Sequence, residues 1–247
     1  MRDMGKLSSL IGSSNRNRFN SAVILAGGSG TRFDEKLVKQ FAEVAGVPVI
    51  VRAARAFENC GFIHEIVVVT RPQDTDGVRN ILEENGITKL TRVVAGGETR
   101  QASAKNGFDA VNPECDYVSI HDAARCLVEE KDIKAVFEAA YLYGAAALGY
   151  HATDTIKKTD LLGNVKETVK REDTWMVMTP QVFKADIYRA ASYTAEKAGF
   201  LGTDDCSLCE RAGFGVKLIE GDRNNIKITY KDDIAVAETL LKLRENR

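Results

Sequence analysis

The sequence predicts a Rossmann-like α/β fold, in which a mostly parallel twisted sheet carries helices on both faces and a β-hairpin arm protrudes. Short apolar runs alternate with amphipathic segments at the spacing of βαβ units. A glycine-rich loop follows the first apolar run. The alternation is interrupted from about 151 to 178, where charged segments flank a Gly-Asn turn. This interruption predicts the arm.

The first part of the chain gives a regular series of strands and helices. Continuous apolar or β-branched runs predict buried strands at 21–26, 65–70, 91–94, 117–121 and 145–150. Helical periodicity, bounded by turn residues, predicts helices at 49–58, 74–85, 100–111 and 130–143.

The remainder of the chain contains the arm and then a return of the α/β pattern. Segments 153–158 and 165–170 predict a hairpin, which is marginal by itself in water and is therefore expected to contact a partner subunit. Beyond it we predict helices at 183–198, 204–212 and 231–243 and strands at 216–220 and 226–229. Residues 1–20 are polar and predict a flexible tail. The organisation expected is a single domain over 21–247, with the arm at about 151–174 serving dimerisation.

Composition restricts the classes of function. The 247 residues suit one α/β domain, and a formal net charge of −1 provides no global field to attract nucleic acid. No apolar run reaches the roughly 18 residues that a membrane span needs, so we expect a cytoplasmic protein without membrane contact. The five cysteines are irregularly spaced, which argues against a disulfide framework. We interpret Cys206 and Cys209 as small residues on the inner face of a helix.

The loop after the first strand is the strongest candidate for chemistry. Glycines at 27, 28 and 30 would let backbone N–H groups approach a phosphate closely. Their spacing fits neither a P-loop nor the dinucleotide fingerprint G-x-G-x-x-G, and a tight turn without a ligand remains open. Arg32 and Lys39 follow closely, and two cations there could neutralise a polyphosphate.

Several motifs in order resemble the 2-C-methyl-D-erythritol 4-phosphate cytidylyltransferases, within the sugar-phosphate nucleotidyltransferases. The segment L-A-G-G-x-G-x-R at 25–32 with Lys39-Gln40 is similar to the family's nucleotide signature, although Gly27 stands where alanine is common. The later motifs are G-G-E-T-R-Q-A-S at 96–103, H-D-A-A-R at 121–125, D-T-I-K at 154–157, Arg171 with Trp175 and T-P-Q-x-F at 179–183, T-D-D at 203–205 and N-I-K-I-T at 225–229. The resemblance extends from about Ser21 to Leu243.

This resemblance implies a reaction and a set of roles. The chain would transfer CMP from CTP to 2-C-methyl-D-erythritol 4-phosphate and release pyrophosphate, with Mg²⁺ screening the triphosphate. The residues implied to act in catalysis are Arg32, Lys39, Arg171 and Lys227. Those implied to bind CTP are Ala26, Gly27, Gly28, Ser29, Gly30, Thr31, Gly97, Glu98 and Ser103. Those implied to bind the acceptor are Asp122, Arg125, Thr155, Thr179 and Thr203, and Asp122 is also a candidate Mg²⁺ ligand. Thr155 and Arg171 would reach the neighbour's site in a homodimer.

Three alternative functions share features with this sequence. Ribitol 5-phosphate is the nearest alternative acceptor, but the H-D-A-A-R motif and Trp175 favour methylerythritol phosphate. A non-catalytic nucleotide-binding module on the same fold is a second alternative, and the acceptor-side cations argue against it. A dinucleotide-dependent dehydrogenase lacks the required glycine spacing.

Overall fold

The structure is a computed structural model, which describes residues 18–28, 33 and 39–246. Eleven strands lie in the described residues. They are β1 Asn20–Leu25, β2 Glu43–Val44, β3 Val47–Pro48, β4 Glu65–Thr70, β5 Leu90–Ala95, β6 Tyr117–Asp122, β7 Ala145–His151, β8 Lys157–Thr159, β9 Val165–Thr168, β10 Trp175–Lys184 and β11 Lys217–Glu220. Residues 1–17, most of the expected tail, lie outside the described part of the chain.

Seven strands form one mixed sheet in the order β11-β7-β10-β6-β1-β4-β5. β1 pairs in parallel with β4 and with β6, β5 continues in parallel beyond β4, and β11 is parallel to β7. β10 is antiparallel to both of its neighbours, β6 and β7. The carboxyl ends of β1, β4, β5 and β6 therefore meet at one edge, where open α/β sheets bind ligands.

Seven α-helices of the described residues cover the two faces of this sheet. They are α1 Val49–Asn59, α2 Thr75–Glu84, α3 Arg100–Asp109, α4 Glu130–Tyr143, α5 Ala185–Lys197, α6 Asp205–Arg211 and α7 Asp233–Glu245. Side chains alternate along each strand, so Ile24 belongs to the core cluster that includes residues of α1, α2, α4 and α7, while its neighbour Val23 belongs to the cluster that includes residues of α3, α5 and α6. The predicted α/β class, with helices on both faces of a mostly parallel sheet, is confirmed.

Two predictions of local structure are wrong. Residues 175–184 form strand β10, and the helix expected from Phe183 begins at Ala185. The proline and polar residues of T-P-Q obscure the strand pattern, because proline cannot donate to a ladder. The strand expected at 226–229 is an extended loop. Its Ile228 N–H donates to the Ala124 carbonyl at 2.9 Å, but the segment joins no ladder.

The predicted hairpin arm is present. β8 and β9 pair antiparallel, and the turn between them is held by Asp160, which accepts hydrogen bonds from the backbone of Leu162 and of Asn164. Leu161 and Leu162 at its tip are fully exposed apolar side chains.

Two further observations concern composition. All five cysteines are free and buried, and Cys206 and Cys209 lie on the inner face of α6, as predicted. Among the helices that the structure describes, none is both long and apolar enough to cross a membrane.

Candidate active site

A pocket of about 420 Å³ opens at the carboxyl edge of β1 and β6. Its lining includes four groups that the sequence singled out: the start of the glycine loop, the turn after β5, the end of β6 with the residues after it, and the segment 225–229. The predicted site residues in the lining are Ala26, Gly27, Gly28, Gly97, Glu98, Ser103, Asp122 and Lys227. The fold therefore brings together residues from distant parts of the chain at the edge expected for a nucleotide.

The start of the glycine loop continues directly from β1. The Ala26 N–H donates to the Val69 carbonyl at 2.7 Å, which carries the pairing with β4 one residue beyond the strand. A Cβ built at Gly27 would lie 3.6 Å from the Thr70 carbonyl carbon, an ordinary contact, and one at Gly28 would meet nothing within 4 Å. The described neighbours of these two glycines therefore leave space for a Cβ at either position. What this segment presents to a ligand is its exposed backbone.

The turn after β5 is closely packed. A Cβ at Gly97 would lie 2.6 Å from that of Ala102, which leaves no room for a side chain. Ser103 holds the turn, because its hydroxyl donates to the Thr99 carbonyl at 2.9 Å and accepts from the Gly97 N–H at 3.1 Å. Thr99 caps α3 by accepting from the Ala102 N–H at 3.0 Å. Ser103, predicted to bind CTP, therefore shapes the rim of the pocket as well as lining it.

Asp122 is held between two cations. Its Oδ1 accepts from Arg100 Nε at 3.2 Å, and its Oδ2 pairs with Lys227 Nζ at 2.6 Å. Burial raises the pKa of the Asp122 carboxyl, but Arg100 and Lys227 outweigh burial and hold that pKa well below its usual range. Asp122 is consequently a carboxylate at any physiological pH.

Lys227 is the exposed member of this group. Its side chain is 42% accessible, and it enters the pocket from the loop between β11 and α7. That loop is held by its neighbours, since the Asn225 side-chain Nδ2 donates to the Thr179 carbonyl at 3.1 Å and the Ile228 N–H donates to the Ala124 carbonyl at 2.9 Å. The ammonium group is therefore placed by the fold yet open to an anionic ligand.

A buried chain of hydrogen bonds supports Asp122 from behind. The Asp122 N–H donates to Thr179 Oγ1 at 3.0 Å, and that hydroxyl lies 3.1 Å from His121 Nδ1. His121 Nε2 lies 3.2 Å from the Arg125 carbonyl, which can only accept. His121 is therefore protonated on Nε2, and Nδ1 accepts from Thr179. Burial lowers the pKa of His121 to about 3, so this imidazole is neutral.

Several predicted site residues lie outside the pocket lining. Thr179 is buried with its hydroxyl committed to β6, and Arg125 Nη1 donates to the Asn225 carbonyl at 2.9 Å. Thr203 is exposed just before α6. On the arm, Arg171 Nη2 donates to Thr155 Oγ1 at 3.1 Å, and both residues are exposed. The described residues of one subunit thus do not bring Arg171 or Thr155 to the pocket.

Some of the predicted residues cannot be placed. Ser29, Gly30, Thr31 and Arg32 lie outside the described residues. Lys39 begins a 3-10 helix, Lys39–Phe41, next to the pocket residue Gln40, and nothing is described of its side chain.

The structure also shows pocket residues to which the sequence reasoning gave no role. Gln40, Val49, Arg100 and Thr229 line the pocket. Arg100 forms a second ion pair, from Nη1 to Asp205 Oδ2 at 2.7 Å. Burial lowers the pKa of its guanidinium, but Asp205 and Asp122 outweigh this effect and raise the pKa above its usual value. One sequence signal could have identified Arg100: its place in G-G-x-x-R puts a cation just after the end of a strand.

Known proteins are similar to this chain over nearly its whole length. One relative is the 2-C-methyl-D-erythritol 4-phosphate cytidylyltransferase of Caldanaerobacter subterraneus, 45% identical over 90% of this chain and 98% of the relative. Another, of Pelotomaculum thermopropionicum and with the same name, is 40% identical over 92% of this chain and 96% of the relative. The crystal structure of 4-diphosphocytidyl-2C-methyl-D-erythritol synthase from Anaerococcus prevotii superposes with a TM-score of 0.82 at 30% identity, and covers 91% of this chain and 96% of that one.

A family model supports these pairwise similarities. The model described as IspD, 2-C-methyl-D-erythritol 4-phosphate cytidylyltransferase, matches residues 21–243. This range includes both the pocket and the arm. The chain therefore belongs to the 2-C-methyl-D-erythritol 4-phosphate cytidylyltransferase family.

Proposed function

We propose that the pocket at the carboxyl edge of β1 and β6 transfers CMP from CTP to 2-C-methyl-D-erythritol 4-phosphate and releases pyrophosphate. Family membership makes the protein a cytidylyltransferase, as the sequence predicted. The observation that carries the assignment to this pocket is the group formed by Arg100, Asp122 and Lys227 beside the exposed backbone of Gly27 and Gly28.

CTP binding is assigned to the glycine loop and to the turn after β5. The backbone from Ala26 through the loop would hold the triphosphate, because N–H groups in a glycine-rich turn bind phosphate oxygens. Gly97 and Glu98 would meet the cytosine and ribose, since the packed turn held by Ser103 gives a fixed rim.

The reaction needs no nucleophile from the protein. An oxygen of the acceptor's phosphate attacks the α-phosphorus of CTP, the bond from that phosphorus to the bridging oxygen breaks, and pyrophosphate leaves with the electron pair. Lys227 would position the acceptor phosphate for in-line attack and stabilise the charge that develops. Arg32 and Lys39 are proposed to act on the same phosphorus from the glycine-loop side.

A magnesium ion fits this site through a single protein carboxylate. Among the described residues there is no cluster of three acidic, histidine or cysteine side chains that could hold a metal. Mg²⁺ commonly binds through one or two carboxylates together with substrate phosphates, and Asp122 is an ionised carboxylate that lines the pocket. The ion would neutralise triphosphate charge. The Lys227 ammonium would then pair with a phosphate oxygen instead of with the Asp122 carboxylate.

The acceptor side is proposed to include a second subunit. Asp122 and Lys227 face the pocket, whereas Arg171 and Thr155 lie together on the exposed arm. In a homodimer formed through the arm, this pair would complete the neighbour's acceptor site. Arg125, Thr179 and Thr203 remain proposed acceptor residues. The Thr179 hydroxyl already bonds the Asp122 N–H and His121, which favours a role in holding these two residues. We also propose that the enzyme acts in the cytoplasm.

Acceptor choice tests the proposed reaction directly. Pyrophosphate release from CTP and Mg²⁺ should depend on 2-C-methyl-D-erythritol 4-phosphate, with ribitol 5-phosphate as the matched control. Release only with ribitol 5-phosphate would overturn the acceptor. Binding of CTP without turnover on either acceptor would favour the non-catalytic module.

The variant Lys227→Ala tests the role of the pocket ammonium. We expect kcat to fall by about 100-fold or more, as for loss of one group that stabilises transition-state charge. Thermal stability should change little, because Lys227 is largely exposed and Arg100 still neutralises Asp122. Steady-state kinetics and thermal melting measure the two effects. Lys242→Ala, which removes an exposed lysine from α7, is the control, and equal losses in both variants would contradict the assignment.

A further inference from the structure

Asp205 is a buried carboxylate adjacent to the pocket, and the proposed reaction assigns it no role. It is the first residue of α6 and is 1% exposed. Its Oδ1 accepts from the Tyr188 hydroxyl at 2.7 Å, and its Oδ2 accepts from Arg100 Nη1 at 2.7 Å. Burial, reinforced by Asp205, raises the pKa of Tyr188 well above its usual value, so the phenol stays protonated and donates.

Asp205 is itself firmly held. The backbone N–H groups of Asp205 and Cys206 donate to Gln181 Oε1 at 3.1 and 3.2 Å. Gln181 Nε2 donates in turn to Asp204 Oδ2 at 2.8 Å, and Asp204 caps α6 through the Ser207 N–H. The backbone of Asp205 is therefore fixed to β10, and its carboxylate is fixed to α5 through Tyr188.

Arg100 is shared between Asp205 and Asp122. One edge of its guanidinium meets Asp205 through Nη1, and Nε meets Asp122 at 3.2 Å. Because the guanidinium is planar and its donors have a fixed geometry, anchoring Nη1 also sets the direction of Nε. Arg100 and Lys227 then approach different oxygens of Asp122. The position of Asp122 in the pocket thus depends on a carboxylate outside it.

We propose that Asp205 is a positioning residue of the cytidylyl-transfer site: it anchors Arg100, and Arg100 fixes the Asp122 carboxylate that shares the pocket with Lys227. The inference rests on the proposed function for its effect on turnover. Without the charge of Asp205, Arg100 has one carboxylate partner instead of two, and the direction from which its guanidinium meets Asp122 is less constrained.

A double-mutant cycle tests this dependence. Asp205→Asn keeps the shape of the side chain and removes its charge. We expect kcat to fall by about 10- to 100-fold, the range for lost supporting contacts at a site, with a smaller change in KM for CTP. In an Arg100→Lys background, the same substitution should change kcat by less than about threefold, since coupled residues are not additive. Additive losses, or a lower melting temperature with kcat within twofold of wild type, would overturn the proposal.

Two further measurements make the test independent of folding and of the reaction. Tyr188→Phe removes only the hydroxyl donor and should lower kcat modestly in wild type but not in Asp205→Asn; equal effects in both would count against the proposal.

The Arg100 Nε–H resonance of the ¹⁵N-labelled protein should exchange slowly with water in wild type and quickly in Asp205→Asn. An unchanged resonance overturns the positioning role whatever the activity, whereas absent wild-type turnover with both acceptors overturns the proposed function alone.

Discussion

Charge pairing at Asp122 is the feature on which the chemistry of the pocket depends. A carboxylate at the end of a buried strand would ordinarily be destabilised by burial. Arg100 and Lys227 reverse that effect and keep the group ionised. The pocket thus combines an anionic oxygen, suited to a hydroxyl or a metal ion, with an exposed ammonium group suited to phosphate.

His121 provides a pH-dependent contribution to stability. Its pKa is about 3 in the folded protein, against an ordinary value of about 6.5, so the unfolded chain binds more protons between these values. Stability is therefore complete above about pH 6.5 and falls as the pH drops towards 3, by up to about 1.4 kcal/mol per pH unit. The groups that face the ring, Asp122 and the carbonyl of Arg125, do not titrate from pH 6.5 to 5.

The corresponding experiment compares unfolding free energies of wild type and His121→Gln by denaturant titration between pH 6.5 and 5. The wild type should lose stability across this interval, and the variant should show a flatter profile whatever its absolute stability. Parallel profiles would show that the imidazole is not held neutral.

At the scale of elements, two glycines at the pocket differ in the space that their neighbours leave for a side chain. A Cβ at Gly27 makes an ordinary contact with Thr70, whereas a Cβ at Gly97 collides with Ala102 on the first turn of α3. Gly27→Ala should therefore leave kcat/KM within about twofold of wild type. Gly97→Ala should force the turn away from α3 at a cost of about 1–3 kcal/mol, as for overpacking, and should raise KM for CTP.

These two variants are controls for each other, because each adds one methyl group to the lining of the same pocket. Steady-state kinetics with varied CTP, together with thermal melting, measure both. Equal tolerance of the two substitutions would mean that the rim formed by Gly97 does not shape the nucleotide site.

The elements also show what sequence patterning can predict. Strands such as 65–70 and helices such as 130–143 were predicted to the residue, because apolar periodicity and the glycine after α4 mark them clearly. β10 was missed, since Pro180 and its polar neighbours do not resemble a strand, and its antiparallel pairing with β6 and β7 is a tertiary effect. Local pattern alone predicts a strand at 226–229, and Lys227 of this segment lines the pocket.

The candidate site was predictable where motif and strand end coincide. Gly27, Gly28, Gly97 and Glu98 follow strands, and Asp122 ends one, whose carboxyl ends share one edge. No local pattern marks Asp205 or Tyr188, because Asp205 meets Arg100 across about a hundred residues of chain and Tyr188 in turn contacts Asp205. Such pairings depend on packing and leave no periodic signal in the sequence.

At the scale of the whole molecule, the proposed homodimer predicts a site shared between two subunits. Arg171 and Thr155 lie on the exposed hairpin and not in the pocket lining of their own subunit. If each pocket uses Lys227 of one subunit and Arg171 of the other, a heterodimer of Lys227→Ala and Arg171→Ala subunits has one intact and one doubly altered site. It should show about half the wild-type activity, by counting sites in a twofold dimer.

The matched control is a heterodimer of wild type with the double variant. Each of its sites then carries one substitution, so it should be nearly inactive. Heterodimers isolated with two different tags allow both activities to be measured. The opposite pattern, with activity retained in the control and lost in the first heterodimer, would place Arg171 in the site of its own subunit.

The most direct test of the account is a crystal structure of the protein with CTP. We expect the triphosphate to lie along the backbone of Gly27 and Gly28, the base against Gly97 and Glu98, and the α-phosphate facing the Lys227 ammonium. A nucleotide bound elsewhere, or a triphosphate that leaves Lys227 paired with Asp122 and turned away from the phosphorus, would contradict it.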